Sequence, residues 1–190
     1  MIVSLIVLQI LSIIVLLIVL FVLSFWVLSS LGSRVPFIGV PMKVLSDIEK
    51  ALDIKDGSVV YDLGSGDMRV LRFLSTKYPK AEFIGIEKSS FPYHLSRFLL
   101  YIFRKNYPKN IKVIKADFFK YDLSRATHVF TYLYPQVMDD LLPKLDRELA
   151  TNESILVSAS FKFTQKQPEK EIDLNRSKNS LVRTLFVYKF

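Results

Sequence analysis

The stretch SVVYDLGSGDMRV, residues 58–70, carries the densest potential chemistry in this chain. An apolar run ends in an acid, Asp62. Gly64, Ser65 and Gly66 follow shortly after it, and then a second acid, Asp67. A glycine loop between a strand and a helix presents backbone N–H groups and a helix N-terminus to a ligand. No Gly-Lys-Ser/Thr follows, which excludes a P-loop, and the dinucleotide pattern G-x-G-x-x-G lacks its third glycine because Arg69 stands there. Two carboxylates beside the loop also disfavour a pyrophosphate.

A cationic ligand without phosphate fits these residues better. S-adenosylmethionine is such a ligand, with a sulfonium, an ammonium group and a ribose diol. Glu87 ends the next apolar run, where a ribose-binding acid is expected. Asp117, in KAD after the third such run, is placed to meet an adenine amino group, although an acid there can equally cap a strand end. The expected cofactor contacts are therefore Asp62, Gly64, Ser65, Gly66, Asp67, Glu87 and Asp117.

Methyl transfer is an in-line displacement, so positioning and desolvation supply most of the rate. An amine acceptor must be neutral, and burial beside aromatic rings lowers its pKa. In a doubly wound sheet the acceptor side lies beyond the carboxyl end of the fourth strand. The sequence there is TYLYPQ, which makes Tyr132 and Tyr134 the candidate catalytic residues, lining a channel with cation–π attraction for an ammonium. Strand alternation puts both on one face, where they act together or are both structural. No Asn-Pro-Pro-Tyr or Asp-Pro-Pro-Tyr is present, which argues against adenine and glutamine methylation. The absence of cysteine removes disulfides, thiolate catalysis and cysteine metal sites. His94 and His128 lie far apart and are expected to be ordinary surface or helix residues, so no metal is expected.

These residues need a scaffold to hold them. MKVLSDIEKALDI (42–54) has helical amphipathicity; 58–63 is a buried strand; 68–78 a helix; 81–87 a strand; 92–106 a helix; 111–117 a strand. The segment 127–134 is expected to be a fourth strand, 136–149 a helix, 154–161 a fifth strand and LVRTLFVYKF a terminal strand. EIDLNR can form a short strand completing a final hairpin. The expected fold is α/β, a Rossmann-like doubly wound and mostly parallel seven-stranded sheet with an antiparallel terminal strand.

The first 31 residues contain no charged side chain and exceed the roughly 20 apolar residues that span a bilayer. A cleaved signal peptide would need a basic start and a shorter apolar run. The expected organisation is a transmembrane anchor (1–31), a linker with two prolines and two glycines (32–41) and a catalytic domain (42–190). All 26 basic and 18 acidic residues follow the anchor, so the +8 charge belongs to the part after the span. Positive-inside bias puts that part on the cytoplasmic or matrix side. Such a charge suits an anionic lipid surface. Nucleic acid is not the expected partner, because the basic residues are scattered rather than blocked.

VVYDLGSGDMR, FIGIE, IKAD and the terminal LFVYKF resemble class I, seven-β-strand methyltransferases. The N-terminal span, the VPF...P linker, the loop and the Ser96-Arg97 pair resemble more closely the small membrane-anchored lysine methyltransferases acting on the ATP synthase c-subunit and the adenine nucleotide translocase. That resemblance covers roughly 34–160. It implies S-adenosylmethionine as cofactor and N-methylation of a lysine on a membrane-associated protein. A lipid or quinone acceptor, or a non-catalytic tethered nucleotide-binding or interaction module, is the alternative. Met68 stands where the family usually has a glycine. Its side chain either enters the sheet–helix interface or narrows the pocket.

Overall fold

A computed structural model of the chain describes residues 2–31, 38–107, 109–177 and 179–190. Five α-helices are described: α1 (Ile2–Leu31), α2 (Leu45–Leu52), α3 (Arg69–Ser75), α4 (Ser90–Ile102) and α5 (Pro135–Leu149). The strands are β1 (Val59–Leu63), β2 (Glu82–Glu87), β3 (Ile111–Lys115), β4 (His128–Thr131), β5 (Ile155–Ala159), β6 (Lys170–Asp173) and β7 (Thr184–Lys189). They form one sheet in the order β3-β2-β1-β4-β5-β7-β6. β1 to β5 pair in parallel, while β7 inserts antiparallel between β5 and β6. This is the expected Rossmann-like fold, and EIDLNR contributes β6.

Alternation along the strands sorts the core into two layers. Val60, Phe83, Phe130 and Val157 face the layer covered by α2 and α3. Tyr61, Ile84, Val129 and Leu156 face α5, whose Leu141, Leu145 and Leu149 recur every four residues and are fully buried. Truncating any one of those leucines to alanine would cost about 2–5 kcal/mol. Strand order reverses between β1 and β4, the switch point where α/β sheets open a crevice beyond their carboxyl ends.

Three expectations needed correction. β4 stops at Thr131 rather than 134, because its register with β1 ends at Leu63↔Thr131 and Pro135 opens α5. Residues 132–134 have strand-like alternation without lying in β4. His128 is not a surface or helix residue. It lies buried on β4, and burial depresses its imidazole pKa. β5 ends at Ala159, so Ser160 and Phe161 leave the strand.

α1 is helical throughout, and Ser4–Ser24 within it is long and apolar enough to cross a membrane, with none of it buried. Within the linker, residues 32–37 lie outside the described residues, and 38–41 run without regular structure to a 3₁₀ turn at Met42–Val44.

Candidate active site

Two groups of residues gather at the carboxyl edge of the sheet, on the face shared with α2 and α3. The first is the glycine loop between β1 and α3. Gly64 and Gly66 both adopt positive φ, 78° and 54°. The Gly64 and Ser65 N–H groups both donate to the Ile86 carbonyl, which folds the loop over the end of β2. Asp62 and Glu87 lie on the same face of neighbouring strands and are 4% and 7% exposed. Burial, and then the charges of Glu87 and Asp67, hold the Asp62 carboxyl well above the usual carboxylate range. Glu87 Oε2 accepts from the Gly66 N–H at 3.0 Å, and its Oε1 accepts from the Ser89 N–H at 2.7 Å. Glu87 thus ties the glycine loop to the start of α4.

Two other predicted contacts, Asp67 and Asp117, are already engaged within the protein. Asp67 grips Arg69 through both carboxylate oxygens, at 2.9 Å to Nε and 2.9 Å to Nη2, and accepts the Arg69 N–H at 3.1 Å. Arg69 Nη1 donates to the Val40 carbonyl at 3.1 Å, and its guanidinium lies flat against Gly39. Asp67 therefore fastens the linker to the loop, a contact that sequence spacing does not display. Asp117 accepts from the Phe119 N–H and from Lys88 Nζ, each at 3.0 Å, and its pKa is lowered. Burial acts to raise that pKa, and the Lys88 and Phe119 bonds outweigh it. Ser65 Oγ is buried, faces Gly85 and has no hydrogen-bond partner.

The alternatives for Met68 resolve cleanly. Its backbone has φ 65°, the left-handed conformation that glycine adopts without strain, at a cost of about 1 kcal/mol or more for methionine. Its side chain is fully buried in the sheet–helix layer, over Gly85 of β2. A Cβ at Gly85 would stand 2.0 Å from Met68 Sδ, so the glycine missing from the loop is matched by one in the strand.

The second group is aromatic. Tyr132 and Tyr134 both flank Phe161, with ring centroids 5.9 Å and 5.3 Å away. The Tyr132 ring is near-parallel to Phe161, and its hydroxyl donates to the Leu181 carbonyl at 3.2 Å. Phe161 was missed as a site residue because it reads as the end of a buried strand. Ser160, at φ 64°, breaks β5 and turns Phe161 toward the tyrosines, while Ser158 Oγ donates to the Phe161 carbonyl. Leu133, between the two tyrosines in sequence, approaches the glycine loop: a Cβ on Gly64 would meet its Cδ2 at 3.3 Å.

The model for the ANTKMT methyltransferase domain matches residues 62–170, more than half of the chain. The chain belongs to this family. It is 26% identical over 155 residues to a protein-lysine N-methyltransferase of Saccharolobus islandicus (strain REY15A), covering 82% of this chain and 93% of that protein. It is also 28% identical over 135 residues to the human lysine N-methyltransferase named for the ATP synthase c-subunit, covering 71% of this chain but only 55% of the human protein. Among solved structures, an RNA methyltransferase from Salinibacter ruber in complex with S-adenosyl-L-homocysteine superimposes with a TM-score of 0.71 at 26% identity. That match covers 80% of this chain and 93% of the other. A precorrin-6y C5,15-methyltransferase from Geobacter metallireducens GS-15, at TM-score 0.56 and 19% identity, shares the fold.

This member of the ANTKMT family is an S-adenosylmethionine-dependent class I methyltransferase. Its donor set suits the cofactor: two buried carboxylates at adjoining strand ends, with a side-chain-free loop beside them. The basic groups nearest the loop, Arg69 and Arg72, are both turned onto Asp67. No salt bridge from either of them reaches Asp62.

Proposed function

We propose that this chain N-methylates lysine on a membrane-associated protein, from a domain (42–190) anchored by residues 1–31 and joined to them by the linker 32–41. The observation that carries this reading is the Tyr132–Phe161–Tyr134 aromatic group, set one strand away from the Asp62–Glu87 carboxylate pair. The glycine loop holds the cofactor. Asp62 meets its ammonium group, Glu87 its ribose diol, and Asp117 lies near the adenine. Gly64, Ser65 and Gly66 contribute close backbone, and Asp67 acts on the same loop by holding Arg69. The bound cofactor supplies an electrophilic methyl group.

The chain's own residues do the rest. Aromatic faces accept the aliphatic stem of a lysine and draw in its ammonium head by cation–π attraction. Desolvation there lowers the amine pKa, so the proton leaves to water and the free amine can attack. The Tyr132 hydroxyl, committed to the Leu181 carbonyl, keeps its ring in place and is not a base. The relatives' names, both lysine N-methyltransferases, support a lysine acceptor. The uncharged span supports a membrane location, and the basic residues beyond it support a cytoplasmic or matrix side.

The test is transfer of labelled methyl groups from S-adenosylmethionine to isolated membranes. Label in a protease-sensitive fraction, recovered as methyl-lysine on hydrolysis, is the expected result. Label that extracts into organic solvent, or that is released by nuclease, would overturn the lysine reading.

A further inference from the structure

The face of α4 that points away from the sheet has no role in the site just described. Phe98, Tyr101 and Ile102 are 59%, 64% and 53% exposed, and Phe103, capping the helix, is 42% exposed. Spacing of three and four residues puts the first three on one stripe. A contiguous exposed patch of large apolar side chains marks an interaction site.

The charges around it name the partner. Between Glu87 and Asp117 the sequence has seven basic residues and no acidic one. Lys88 and Lys112 pair with Asp117 and Glu82 on the sheet side. Arg97 and Arg104 instead lie over the Tyr93 and Tyr101 rings, at 5.8 Å and 4.8 Å, along the exposed stripe. Lys105 follows one residue later and is also exposed. Apolar side chains, an interfacial tyrosine and flanking cations on one helix suit the headgroup boundary of a negatively charged bilayer. α1 also comes up against α4, the helix that carries this stripe.

We propose that the C-terminal half of α4 is a second membrane contact: Phe98, Tyr101, Ile102 and Phe103 enter the interface of an anionic bilayer, and Arg97, Arg104 and Lys105 meet its headgroups. The proposal rests on the membrane-anchoring part of the function proposed above. Together the two contacts fix the rotation of the domain about its tether, and hence the direction in which the site opens.

Because the chain lacks cysteine, a single engineered one can report position. The full chain carrying Ile102→Cys, or Thr151→Cys beside the opposite layer of the sheet, is labelled with an environment-sensitive fluorophore. It is then reconstituted into phosphatidylserine-containing vesicles with a quencher near the headgroups. Quenching is expected at position 102 and not at 151. Arg104→Glu/Lys105→Glu should weaken docking at least about thirtyfold and bring the signal at 102 down to that at 151. Thermal shift by S-adenosylhomocysteine checks that each variant is folded. Alkaline extraction of the same vesicles reports on α1 alone, so a failed anchor is distinguished from an undocked α4. Equal signals at 102 and 151 would overturn the proposal. So would protection of position 102 by added RNA rather than lipid, or quenching only when several copies share a vesicle.

Discussion

The two halves of the site stand on adjacent strands and are built in different ways. At the ends of β1 and β2 the working parts are backbone and carboxylate: two glycines with positive φ, and Glu87 bridging the loop to α4. At the ends of β4 and β5 the working parts are three aromatic rings from two segments beyond the strands. The first half suits one fixed ligand, whose ammonium group and ribose diol are unchanged by the reaction. The second can be altered ring by ring without disturbing the first, which lets one cofactor scaffold serve different acceptors. The approach of Leu133 to Gly64 links the two halves along the chain.

The strongest way to break this comparison is at Glu87. Glu87→Gln removes a buried charge that accepts two backbone N–H bonds, each charge-assisted bond contributing about 1.5–3 kcal/mol. S-adenosylhomocysteine affinity, read by calorimetry, should fall about a hundredfold or more. In the other half, Phe161→Ala should lower methyl transfer roughly tenfold to a hundredfold, consistent with losing about 1.4–2.7 kcal/mol of positioning. Tyr132→Phe should cost less, because the ring remains and only the hydroxyl's bonds, to the Leu181 carbonyl and with Ser160, are lost.

The Met68–Gly85 fit gives a smaller effect, confined to stability. Gly85→Ala forces its new Cβ onto Met68 Sδ and should destabilise the fold by about 1–3 kcal/mol. In a Met68→Ala background the same substitution should cost less. A denaturant double-mutant cycle measures that coupling, and strictly additive values would refute the match.

The smallest effect is the pH dependence set by Asp62. Its folded pKa is raised, so the contribution of Asp62 to the stability of the cofactor-free protein is fully present below the unfolded value. That contribution is lost as pH rises from there through the folded value. A cofactor ammonium favours the carboxylate and so expels a proton on binding. S-adenosylhomocysteine affinity should therefore strengthen as pH rises through that raised pKa, by at most about tenfold per pH unit, and then level off. Asp62→Asn should flatten that rise, bind more weakly at neutral pH and melt higher when cofactor-free.

The same contrast explains what could be read from the sequence. Asp62, Gly64, Gly66 and Glu87 lie at strand ends fixed by apolar runs, so spacing alone brings them together. β6 was legible from EIDLNR and β7 from LVRTLFVYKF, since an apolar strand at the chain's end needs a neighbour. Phe161 was not legible, because its direction depends on Ser160 adopting a conformation that serine rarely takes. Tyr132 and Tyr134 were legible from their place beyond the carboxyl end of the fourth strand; the alternation that put them on one strand face stops at Thr131, yet they do meet, through Phe161. The Asp67–Arg69–Val40 link depends on a linker whose path no local pattern specifies.

The most direct test is one pair of titrations with S-adenosylhomocysteine, on the full chain carrying Phe161→Ala and on the full chain carrying Glu87→Gln. If the cofactor lies at the carboxylate half, Phe161→Ala binds within about twofold of the unaltered protein and Glu87→Gln loses about a hundredfold. A loss of binding in Phe161→Ala with binding retained in Glu87→Gln would put the cofactor in the aromatic half and contradict the assignment.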